Sequence, residues 1–111
     1  MTEESTQKKE TKITFVYYNP TDPTDFEAAY PAQLELARKL PGLVRLQASK
    51  VWPKEDGTAT PAYRFLDLYF ANYAAACQAV TAPEVGALVG ATREHATGGF
   101  IITFAEVLEE A

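Results

Sequence analysis

Asp67 lies in the run YRFLDLYF, residues 63–70, a carboxylate set among aromatic and aliphatic side chains in a stretch whose composition marks a strand. Burial among such neighbours favours the protonated carboxyl unless a cation or hydrogen-bond donors meet it, and this is the condition of a general acid or base. Asp67 is therefore the candidate catalytic residue. The competing expectation is an ion pair with Arg45 or Arg64 across a hairpin, or a contact across a dimer. Arg45, in the otherwise apolar LVRLQASKVW (residues 43–52), carries the same two readings, and its guanidinium could also clamp a substrate carboxylate.

Gln33 raises a different question. On a helical wheel Phe26, Ala29, Tyr30, Ala37 and Leu40 form one apolar stripe, and Gln33 falls in its centre. A buried amide must find partners or cost about 1–3 kcal/mol. It therefore either bonds to a strand side chain or a water, or it lines a pocket. Pro31 falls on the opposite arc with Glu27, Glu35, Arg38 and Lys39. There its ring faces solvent, frees the Glu27 carbonyl and bends the helix around the sheet. Tyr17 and Tyr69 occupy strand positions shared with phenylalanines, so their rings read as core and their hydroxyls need partners or a ligand. Trp52 reads as a dimer-rim or loop residue, and Cys77 as a small buried hydrophobe beside Tyr73 and Val80. His95 suits a helix C-terminus, where a cation is favoured.

The elements that must position these residues follow from turn signals and periodicity. Residues 11–19 (TKITFVYYN) form a first strand, stopped by NPTDPTD. Thr24 and Glu27 have capping-box spacing, and a helix runs from there to Leu40 before Pro41-Gly42. A second strand over 43–52 and a third over 63–70 make a hairpin around PKEDGTATP. Asn72 caps a short Ala-rich helix to about Val80, Pro83 opens another to His95, and Gly98-Gly99 leads into a last strand over 100–107. This β-α-β-β-α-β order predicts an α+β, ferredoxin-like fold: a four-stranded antiparallel sheet with its helices on one face. Ile13, Phe15 and Tyr17 point one way while Val16 and Tyr18 point the other, and the third and fourth strands repeat this two-sided pattern. One chain has helices for only one face, so a homodimer joined through the other is expected.

With 111 residues, 47% hydrophobic and 23% charged, the chain has room for a single domain, read as residues 12–111 after a solvated tail over 1–11. A net charge of -5 and the absence of a basic stripe disfavour nucleic acid and anionic membrane surfaces as partners. No apolar run approaches a membrane span of about 18 residues. The polar start and the lone cysteine point to the cytoplasm. One cysteine and one histidine offer no metal cluster, and there is no phosphate loop, dinucleotide fingerprint or Ser-His-Asp set, so neither metal nor cofactor is expected.

The chain resembles the EthD-like family of dimeric α+β barrel proteins over nearly all of this domain. The resemblance is carried by YYNPTDPTDF (residues 17–26), Tyr30, ARKLPGL (37–43), LYF (68–70), Pro83-Glu84 and ATGGFIITFAEV (96–107). It implies a small-molecule protein or cofactor-independent enzyme acting on a small hydrophobic compound, aromatic or ether, in catabolism. The ligand would lie in a pocket between the first helix and the sheet, walled by Tyr17, Tyr30, Gln33, Arg45, Asp67 and Tyr69. Alignment back from ARKLPGL puts Gln33 where the family carries a histidine and Glu35 where it carries a proline. Glutamine does not titrate near neutral pH, so it orients a polar group but does not carry a proton, and haem ligation at this position is disfavoured. The alternative is a non-catalytic dimeric accessory or binding module whose pocket is closed.

Overall fold

The computed structural model describes residues 9–110, so the expected tail lies outside the described residues for positions 1–8. Its last members are part of the fold, since Thr11 is buried in the first strand and Glu10 forms an ion pair with Arg45. The elements are β1 (Thr11–Tyr18), α1 (Pro23–Arg38), β2 (Leu43–Lys50), β3 (Ala62–Phe70), α2 (Tyr73–Ala79), α3 (Pro83–His95) and β4 (Phe100–Glu106). They build one antiparallel sheet in the order β2-β3-β1-β4. The expected α+β, ferredoxin-like arrangement is what forms. Among the described residues no helix is long and apolar enough to cross a membrane.

Local chemistry explains the boundaries. Helix α1 starts earlier than the Thr24–Glu27 box would place it. Pro23 takes the first turn, where its missing N–H costs nothing, and the Asp22 carboxylate accepts from the Asp25 amide at 3.1 Å. Glu27 is released from capping and reaches the sheet instead. Pro31 lies inside the helix on its exposed side. Asn72 caps α2 by accepting from the Ala75 amide at 2.9 Å. This helix docks through Ala76 and Ala79, whose small side chains let its backbone approach the sheet, and it leaves Tyr73 and Val80 exposed. Cys77 is accordingly only half-buried, and the apolar side expected for α2 was rotated from the real one.

The core lies between the helices and one face of the sheet. Ile13, Phe15 and Tyr17 of β1 and Leu66, Leu68 and Phe70 of β3 meet Phe26, Tyr30, Ala37, Leu40 and Leu88. On β4 the same face carries Ile102 and Phe104, in register with Phe15 and Ile13, yet both remain exposed because the helices stop short of that edge. The opposite face carries Val16, Phe65 and Ile101 in one row and no helix. Trp52, in the loop after β2, is 85% exposed.

The β1–α1 and α3–β4 turns pack against each other with no space to spare. The Thr97 hydroxyl accepts from the Thr21 amide at 2.9 Å, and a Cβ built on Gly98 would sit 1.9 Å from the Asn19 carbonyl oxygen. Gly98→Ala must therefore displace backbone, and a loss of about 1–3 kcal/mol is expected in urea unfolding. Unchanged stability would mean that the two turns separate freely.

Candidate functional site

Helix α1 and the central strands bring one group of polar side chains into the core. Tyr17 of β1 stands directly opposite Arg64 of β3 on the helix-covered face. The Tyr17 ring meets Phe26 edge-on with centroids 5.3 Å apart and Tyr30 edge-on at 5.9 Å. The Arg64 guanidinium lies 4.5 Å from the Tyr30 ring centroid, a cation–π contact, and donates to both Glu27 oxygens, from Nη2 at 2.6 Å and from Nε at 3.0 Å. The Tyr63 hydroxyl donates to the same carboxylate at 2.7 Å. Less than one turn beyond Tyr30, Gln33 is fully buried, and its Oε1 accepts from the Thr92 hydroxyl of α3 at 3.3 Å.

Three atoms of this group have no hydrogen-bond partner: the hydroxyls of Tyr17 and Tyr30 and Nε2 of Gln33. Burial pushes the Tyr17 phenol well above its ordinary value, an effect that the neighbouring Thr92 hydroxyl and Arg64 charge offset only in part. Burial likewise pushes Tyr30 up to about 12, against the Arg64 charge. Both phenols therefore keep their protons at neutral pH. Hydrogen bonding from Arg64 holds the Glu27 carboxyl below its usual value, so the fork is charged. Such a set can donate hydrogen bonds to a bound group and orient it. It holds no general base that titrates near neutrality.

The other expected pocket residues lie on the opposite side of the sheet. Arg45, Asp67 and Tyr69 share the helix-free face because β3 sends Arg64, Leu66, Leu68 and Phe70 toward the helices and the residues between them away. The single pocket walled by all six candidates is therefore corrected: Tyr17, Tyr30 and Gln33 come together, while Asp67, Arg45 and Tyr69 form a second group behind the sheet. Asp67 cannot serve as the acid or base for a ligand held beside Gln33. Its expected ion pair with Arg45 or Arg64 is also absent. Asp67 accepts from the Thr14 hydroxyl at 2.6 Å, with Lys12 Nζ at 3.7 Å. Arg45 stacks 3.9 Å from the Tyr69 ring centroid and pairs with Glu10 at 2.7 Å and Glu110 at 2.8 Å, and Tyr69 donates to Gln47 Oε1 at 2.9 Å.

Three hollows of the surface lie elsewhere among the described residues. An open groove of about 620 Å³ runs between Tyr73 of α2 and Phe104 of β4, and smaller ones lie beside Pro41 and Trp52. None of these three touches Tyr17, Tyr30 or Gln33, so the core group is closed over. Thr92, Arg64 and Glu27 are the residues that sequence reasoning did not place in the site. A wheel for α3, on which Thr92 follows Leu88 by one turn, and the hairpin register that sets Arg64 opposite Tyr17 would have pointed to them.

At one end of the seam between α1 and α3, His95 Nδ1 meets Asp25 Oδ2 at 2.9 Å, so the histidine joins two helices in addition to closing its own. The hydrogen bond it donates to Asp25 raises its pKa above the ordinary 6.5, helped by the charges of Asp25 and Glu94. A group raised on folding contributes stability that is fully present below its unfolded value and is lost as pH rises through its folded value. The protein should therefore lose more stability than His95→Gln between about pH 6 and pH 8, measured by urea unfolding at each pH. Equal slopes for the two proteins would show that the pair does not couple to folding.

No family model matches the chain. It is 31% identical over 96 residues to an uncharacterized 11.0 kDa protein of the thcB-thcC intergenic region of Rhodococcus erythropolis, covering 86% of this chain and 92% of that one. Among solved structures, an ethyl tert-butyl ether d (EthD) family protein from Bacillus halodurans superimposes with a TM-score of 0.82 at 21% identity, covering 89% of this chain and 99% of its own. SnoaB, a cofactor-independent oxygenase from Streptomyces nogalater, matches with a TM-score of 0.60 at 12% identity over 94% and 95% of the two chains. A dimeric protein of unknown function and ferredoxin-like fold from Bacteroides fragilis matches at 0.63 and 13% identity over 88% and 96%. The chain belongs to the same family as the Rhodococcus protein, and its fold is the EthD-like one.

Proposed function

We propose that this protein binds a small, largely apolar organic molecule between α1, α3 and the sheet, and orients it through donated hydrogen bonds without exchanging protons with it. The observation that carries this reading is the gathering of three buried, unpaired polar atoms on Tyr17, Tyr30 and Gln33. Each costs about 1–3 kcal/mol when left alone, and a marginally stable domain gains by exchanging such groups for apolar ones unless something completes them. Phe26 and the aromatic faces around them supply the apolar walls of such a site. EthD-like proteins and a cofactor-independent oxygenase share this fold, which agrees with a role in the catabolism or modification of small hydrophobic compounds.

The closed packing over Gln33 favours a second reading, a binding module whose core is filled and whose polar atoms are satisfied by nothing larger than water. A fragment screen read at the Gln33 side-chain amide by nitrogen-15 NMR separates the two. The first reading expects small aromatic fragments to move that signal in the parent protein, and expects no response of Thr92 or the Tyr30 ring in Gln33→Met. Tyr17→Phe should lose the fragment response while keeping or gaining up to about 1 kcal/mol of stability, because it removes an unpaired hydroxyl. No response to any fragment in the parent, or a clear loss of stability in Tyr17→Phe, favours the second reading.

The helix-free face supports a homodimer under either reading. Val16, Phe65 and Ile101 form an apolar row there, and Ile101 remains 45% exposed in one copy. Sedimentation at micromolar concentration should give about twice the 12.2 kDa chain mass. A species of the single-chain mass would remove the dimer.

A further inference from the structure

Resting on the reading that the core group of Tyr17, Tyr30 and Gln33 binds a small molecule, we infer that its ligand presents a delocalised oxyanion, a carboxylate or an enolate, to that group. Every unpaired atom of the cluster can donate, and Nε2 of Gln33 can do nothing else. Tyr17 and Tyr30 offer O–H groups and Gln33 offers Nε2, while the amide's own acceptor, Oε1, is already occupied by the Thr92 hydroxyl. A ligand amine or ammonium would find only the two phenol oxygens to accept from it and would meet the Arg64 charge over Tyr30, while Gln33 Nε2 would stay unpaired. An oxygen with several lone pairs would find three donors, each nine-tenths or more buried.

The local charge has the same sign preference. Arg64 stands across the strand pair from Tyr17 and over the ring of Tyr30, and its charge acts on both phenols, on Tyr30 more strongly than the opposing charge of Glu27. Glu27 is itself engaged by Arg64 and Tyr63. The remaining nearby carboxylate of β3, Asp67, faces the other side of the sheet. An anion placed among these donors is thus met by charge-assisted hydrogen bonds and by a guanidinium, which offset the cost of drying it. Delocalisation over two oxygens lets one group accept from more than one donor at once, a requirement that a lone alcohol or ether oxygen meets poorly. The unanswered burial of the donors is then the preorganisation of the site: they are held in place before the ligand arrives.

Four probes of similar size test this against the parent protein: benzoate, acetylacetone at a pH where its enolate is populated, benzylamine and toluene. The readout is the Gln33 side-chain amide signal, with the dissociation constant from titration. Benzoate or acetylacetone should bind at least tenfold more tightly than benzylamine and toluene; benzoate alone would identify a carboxylate, acetylacetone alone an enolate. Read at the Thr92 backbone amide, Gln33→Met, which removes the Nε2 donor, should weaken the anion by tenfold or more, and Tyr17→Phe should weaken it in the same direction. Binding of benzylamine or toluene as tight as that of the anions would overturn the oxyanion assignment while leaving the small-molecule reading intact. Anion binding unchanged in both variants would place the anion elsewhere and overturn the assignment too. If none of the four probes moves the signal, the small-molecule reading itself fails.

Discussion

Successive side chains of a strand point to opposite faces, and in this protein that alternation decides which groups can meet. Along β3, Arg64 turns toward the helices and Asp67, three residues on, turns away. The paired strand β1 repeats the division, with Tyr17 on one side and Thr14 on the other. A sheet one backbone thick thus separates two polar groups that are neighbours in sequence. On the helix side the groups are dry and partly unpaired. On the other side they are paired with one another through Thr14, Lys12, Gln47, Glu10 and Glu110. A one-residue slip of β3 against β1 would exchange the two sets and bury Asp67 against α1, so the register is as much a chemical choice as a packing one.

The two polar groups use their charges differently. Behind the sheet, Arg45 lies over the Tyr69 ring between two carboxylates, and Lys12 approaches the same ring, so cation, ring and anion alternate there. These groups are partly exposed, and salt and water weaken what they contribute. In front of the sheet, Arg64 is largely covered, with a side-chain exposure of 16%, and its fork with Glu27 ties the first turns of α1 to the hairpin. That fork closes one end of the core over Tyr30, and the His95–Asp25 pair fastens the α1–α3 seam at another place. The core between them is thus bounded by ion pairs and walled by aromatic rings.

What the sequence made legible was what depends on neighbours along the chain. The order of elements, the cap at Asn72, Pro83 in the first turn of α3, and the burial of Gln33 on the α1 stripe all follow from short-range spacing, and all are present in the structure. The first helix began two residues early relative to its expected cap, because TDPTD offers more than one capping side chain and the proline between them takes the first turn. What could not be read were pairings set by tertiary distance. Gln33 meets Thr92 across 59 residues and Asp67 meets Thr14 across 53. The alternation along β3 divides Phe65 and Tyr69 from Leu66 and Leu68. Applied to Asp67 as well, the same division would have taken it out of the pocket with Gln33. The short helix α2 misled for another reason: in seven residues rich in alanine, closeness of approach decides the buried side, so the largest apolar side chains are the ones left out.

The loop after β2 carries the protein's one tryptophan, and it stands almost wholly in water. In a single copy its indole is therefore surrounded by solvent, away from the packing around Tyr17 and Phe26. Unfolding of the core is visible instead through the six tyrosines, two of which are packed edge-on against each other. The indole is left as an optical sentinel for whatever reaches this loop from outside the chain, and an experimenter receives from one molecule two colours of signal, one for its interior and one for its company.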